Sequence, residues 1–293
     1  MTSRFAVRVL SSDGAYPASP LTIDTFAVLA SEDFAWSAVD FPDLDDSETD
    51  RPGCRAGEIS WLTPDEIRFF GAVSLAEPHP LTNGRLWICT RTPYGILELE
   101  DSSGDDIEQL VSQSRSLAGS MIGRPSHGRW VEPDISEPPT TVSHDYTESV
   151  RALLNAMDEA DPLLYRGLYK LLMAAELRQH PKFLEESALS AHISREAALE
   201  LLRRKLSAQS SKRLTKEDVF AHIEATFPTG QPLVEVLRSD WEVRVMMTHP
   251  VSDYGEHWSP PVEAEECWDA LNNLIYLYRF LLLDEVWTPG KYD

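Results

Sequence analysis

Near the end of a helix-patterned half of the chain stands Trp241-Glu242-Val243-Arg244-Val245-Met246-Met247-Thr248-His249-Pro250. Arg244 is a permanent cation able to grip a phosphate at two points. His249 is the kind of side chain that exchanges protons near neutrality. A neighbouring 2′-hydroxyl can act as nucleophile in RNA, so these two groups suffice for cleavage without a metal. The histidine serves as base toward the 2′-hydroxyl and as acid toward the leaving 5′-oxygen. The arginine holds the phosphate and stabilises charge in the transition state. The expected products carry 2′,3′-cyclic phosphates.

Five residues along an α-helix amount to about 500° of rotation, which leaves the two side chains roughly 140° apart. Proline disfavours the α conformation in the residue before it, so Pro250 places His249 at or just past the helix end, free to fold back beside Arg244. A helix C-terminus also favours a protonated imidazole. On the residues alone a second reading stands beside this one. His249 caps a helix, and Arg244 pairs on the surface with Glu242, Asp240 or Asp253.

An Arg-x4-6-His motif late in a helix, then a loop and a last long helix, resembles the HEPN superfamily of helical ribonucleases, in particular its Apea-like branch. Trp241, Glu242, Val243, Arg244, His249 and Pro250 match that branch's order of aromatic, acidic, apolar, Arg, His and a small residue or proline. Val245 stands where such nucleases usually carry a polar residue. The resemblance covers residues 145–286 at most. It implies a helical bundle that pairs into a homodimer, with two Arg/His motifs across one cleft. It also implies catalysis by Arg244 and His249, with Trp241, Glu242 and Tyr254 as supporting groups, and no cofactor or metal. In that family such enzymes often serve as toxins or antiviral defence effectors, with an attached domain that senses or restrains.

The charge of the chain opposes contact with nucleic acid. Its net charge is −22, and a negative field slows association with a polyanion. Residues 1–140 contain no lysine. The local exception is Arg203, Arg204, Lys205, Lys212, Arg213 and Lys216, a run of cations with no acid among them. It reads either as an RNA-contacting surface or as a solvated helix end. Ser187 to Ala198, followed by Arg203-Arg204-Lys205, has some likeness to a helix-turn-helix with Ser194 opening a second helix. A DNA-binding regulator is therefore one rival function, and a catalytically inactive helical module that binds a protein is another.

Other chemistry is poorly represented. The acidic run Asp43 to Asp50 lacks the glycine and terminal glutamate of a calcium loop. Cys54, His79 and Cys89 have no metal-ligand spacing, and three scattered cysteines give no disulfide framework. No P-loop, GxSxG or GxGxxG signature is present. No apolar run is long enough to span a bilayer and no signal-like segment opens the chain, so a cytoplasmic protein is expected.

The elements expected to position the site fall into two sets. Phe5–Leu10, Leu21–Ala30, Phe34–Phe41, Glu58–Thr63, Ile67–Leu75, Leu86–Thr90 and Ile96–Leu99 read as strands, with Thr92-Pro93-Tyr94-Gly95 as a hairpin turn and a helix over about 105–121. The expectation is an α+β chain. A β-rich domain over 1–123, with a possible protein partner, leads through a Pro- and Thr-containing linker (124–144) to an all-α bundle over 145–293. There the apolar period changes to 3.6, predicting helices near 146–158, 162–179, 182–190, 194–207, 217–226, 232–248 and 262–286. The last of these is apolar on all sides from residue 274, so it is either the centre of the bundle or part of a dimer interface.

Overall fold

The computed structural model describes residues 2–10, 15–16, 21–23, 26–30, 35–40, 64–76, 95–100, 107–121, 140–141, 144–157, 161–178, 181–210, 212–228, 233–238 and 263–286. The chain divides into two compact units. One comprises residues 1–66 and 87–147, the other 67–86 and 148–293.

In the first unit, alternation of apolar and polar residues produces β1 (Thr2–Leu10), which lies inside an antiparallel sheet. The sheet also holds β3 (Leu21–Ile23), β4 (Phe26–Ala30), β5 (Ala35–Asp40) and β6 (Gly95–Glu100), in the order β3-β4-β5-β1-β6. Val7 faces Ala38 on one side and Gly95 on the other. A separate parallel pair joins β2 (Ala15–Tyr16) to β7 (Thr140–Thr141). Helix α2 (Ile107–Met121) packs Leu110, Val111, Leu117 and Ala118 against Val7, Trp36 and Ala38, the one-sided spacing of an amphipathic helix. The buried Trp36 indole donates to Ser114 Oγ at 2.8 Å, giving its polar edge the partner that burial demands.

The second unit is helical. It takes α1 (Pro64–Ala76) from Ile67 onward and α3 (His144–Ala156) from Glu148 onward, and then adds α4, α5, α6 and α7. Helix α4 (Pro162–Leu177) opens with proline in its first turn and an N-cap, Asp161, whose side chain accepts from Leu163 N–H at 2.9 Å; both are strong start signals. Helix α5 (Leu184–Gln209) is the longest. Helix α6 (Lys216–Thr226) begins with a reciprocal capping box between Thr215 and Asp218. Residues 233–238 are helical. Helix α7 (Ala264–Leu283) ends at Asp284, whose φ of 54° is left-handed. Lys205 closes that end, donating to Leu281 O at 2.8 Å and to the Asp284 carboxylate at 2.7 Å.

Apolar residues at helical spacing form the core: Leu164, Leu168, Leu171 and Leu172 from α4, Ala191, Ala198 and Leu202 from α5, and Leu271, Leu274, Tyr278 and Leu281 from α7. Leu277 and Phe280 on the other sides of α7 are buried as well. Among the described residues α7 thus packs into its own chain's bundle, with Trp268, Tyr276, Leu282 and Leu283 half-buried.

The expected fold class needs correction. The described chain is mostly helical, not an α+β chain led by a β-rich N-terminal domain. Ile67–Leu75, expected as a strand, lies in α1 and belongs with the helical unit. Its Phe69, Phe70, Ala72, Val73, Leu75 and Ala76 are all buried, and a run buried on every side shows no period that separates helix from strand. The expected strand Leu21–Ala30 is two, β3 and β4, paired antiparallel. The two helices expected over 182–207 are one, α5. Strands expected at 58–63 and 86–90 lie outside the described residues, as does most of the linker 124–144.

Candidate functional site

Arg244, His249, Trp241, Glu242 and Tyr254 lie outside the described residues, together with Asp240, Asp253 and Pro250. What is described is the frame on either side of them. Upstream, Leu233, Val234 and Leu237 bury one face of the helical stretch 233–238, while Val236 is exposed on the other. There Arg238 pairs with Glu217 and lies over the Phe220 ring, with centroid distance 4.9 Å, tying this stretch to α6. Downstream, Glu263 N–H donates to Glu266 Oε2 at 2.9 Å at the start of α7. In sequence the Arg-x4-His segment lies between these two helical stretches of the same unit.

The cation run is described in full, and its charge is partly neutralised within the fold. Glu200, one turn before the run, accepts from Arg203 Nε and Nη2 at 2.7 Å each and from Arg204 Nε at 3.0 Å. Hydrogen bonding from Arg203, ahead of that from Arg204, holds the Glu200 carboxyl at about 2. Arg203 donates further to Leu214 O, and Arg204 stands 3.9 Å from Asp161. Lys205 is engaged at the end of α7. Lys216 pairs with Glu196 at 2.9 Å. Burial pushes the Glu196 carboxyl up, but the hydrogen bond and charge of Lys216, with His192 and Arg195 behind it, bring it below the usual carboxylate range. Lys212 and Arg213 lie exposed. The sequence run shows no acid because its partners sit one or two turns earlier on α5 or on other elements.

A helix-turn-helix over 187–205 requires a break, and α5 runs unbroken from Leu184 to Gln209. Ser194, expected to cap a second helix, is buried in the middle of this one, where its Oγ donates to Gly167 O on α4 at 2.8 Å. This segment is therefore an inner helix of the bundle.

Two buried polar groups on α5, within Ser187–Ala198, pair in a way the helix-turn-helix likeness does not suggest. Arg195 donates to His192 Nδ1, so that nitrogen holds no proton in this arrangement, and the two residues are 3% and 5% exposed. Tyr278 from α7 meets Ser194 and Gly167 nearby in the same unit. The signal in the sequence is only an arginine and histidine three apart on one helix face.

Among the described residues no group of three or more His, Cys, Asp or Glu side chains is arranged to hold a metal ion; Asp43–Asp50, Cys54, His79 and Cys89 lie outside them. No described helix is long and apolar enough to cross a membrane. The chain matches no family model, no curated protein and no solved structure.

Proposed function

We propose that the helical unit is a HEPN-type, metal-independent endoribonuclease of the cytoplasm acting through Arg244 and His249. The observation that carries this reading is the Arg-x4-His-Pro segment placed between a packed helical stretch and the final helix. Positioning of acid, base and phosphate clamp is what this chemistry requires. His249 serves as the proton-transfer group and Arg244 as the phosphate clamp, with two copies of the chain sharing one cleft. Pairing runs through the helical unit, including the helix expected over 262–286, where Trp268, Tyr276, Leu282 and Leu283 of α7 are half-buried within the single chain.

The test incubates purified protein with single-stranded and structured RNAs in EDTA and analyses the 3′ ends of the products. Cyclic-phosphate ends from the wild type, absent with Arg244→Ala and His249→Ala, are the expected result. Equal cleavage by all three proteins, or none by the wild type, rejects the reading.

A second reading is a catalytically inactive helical module that binds a protein partner. It is favoured by the internal pairing of Arg203, Arg204, Lys205 and Lys216 and by the net charge of −22. Under it, the wild type leaves every RNA intact, and Arg244→Ala folds with unchanged stability.

A further inference from the structure

We draw no further inference here: the strongest candidate, the buried His192–Arg195 side-chain cluster midway along α5 with Glu196 and Lys216 beside it, carries nothing because it is enclosed in the helical unit's own core and nothing among the described residues points to a ligand there.

Discussion

Tyr278 on α7 donates its phenolic hydrogen to the main-chain oxygen of Ser194 on α5, at 3.1 Å. The same phenol lies 3.2 Å from Ser194 Oγ, which itself donates to Gly167 O on α4. One hydroxyl and one serine therefore join the three longest helices of the unit at a single buried point. Burial drives the Tyr278 phenol well above its usual range, which keeps it a neutral donor near neutrality.

Gly167 is what lets the helices approach so closely. A methyl group there would stand 2.1 Å from Tyr278 Oη and 3.0 Å from Ala197 Cβ. Glycine inside a helix costs about 1 kcal/mol relative to alanine, yet overpacking a buried contact costs about 1–3 kcal/mol and the rigid phenol has no room to withdraw. Gly167→Ala is expected to lower stability by about 1 kcal/mol net in urea unfolding. Tyr278→Phe alone costs about 1 kcal/mol through the lost hydrogen bond. Combined, the two substitutions should cost clearly less than their sum, since removing the hydroxyl relieves the clash. Strict additivity would show that this contact does not set the helix spacing.

Glu200 gives the helical unit a defined acid response. Its folded-state carboxyl, held at about 2 chiefly by Arg203, lies below the ordinary value near 4.5. Its contribution to stability is therefore complete above about pH 5 and is lost as pH falls through 4 toward 2. Glu200 and both arginines are partly solvent-exposed, so screening keeps the contribution small. Unfolding midpoints of wild type and Glu200→Gln should differ at pH 6 and converge by pH 2–3. A gap that stays constant over that range would remove Glu200 as the titrating group.

How far the sequence reveals this fold can be followed residue by residue. Asp161-Pro162 announces the start of α4, and Thr215 with Asp218 that of α6, because capping is a local interaction whose partners lie within four residues. The alternation in β1 likewise marks a strand with unlike faces. Ile67–Leu75 misleads because burial on all sides erases the period. Ser194 misleads because a good N-cap residue can instead donate its hydroxyl to a neighbouring helix, here to Gly167 O. The cation run hides its acidic partners, since Asp161 and Asp284 reach it only through the tertiary fold. Arg244 and His249 are legible as chemistry, while their mutual geometry belongs to residues outside those described.

Cys267 is buried, and its Sγ donates to Leu184 O at 3.3 Å. Burial pushes the thiol up to about 11. At pH 8 that leaves the thiolate about a hundredfold scarcer than in a thiol of pKa 9, and only the thiolate reacts with disulfide reagents. In a Cys54→Ser/Cys89→Ser protein, modification of Cys267 should be at least about a hundredfold slower in the native state than in urea. Reaction at comparable rates in both would mean that the start of α7 opens readily.

The pairing within the cation run separates its members by function. Paired cations must lose their carboxylate partners before touching a phosphate, so Arg203 and Lys205 should contribute little to RNA affinity. Lys212 and Arg213 are exposed and Lys212 feels the Asp218 carboxylate only through its charge, so that cost is smaller for them. Each phosphate contact on single-stranded RNA changes the slope of log affinity against log salt by about 0.7. Measured on His249→Ala protein, where the proposed cleavage is blocked, Lys212→Ala/Arg213→Ala should reduce the slope by about 1.4, and Arg203→Ala/Lys205→Ala should leave it unchanged. The reverse pattern would mean that Glu200 and Asp284 release their partners to RNA. An unchanged slope in both would show that this end of α5 takes no part in binding, and the phosphate contacts would then have to come from elsewhere in the chain.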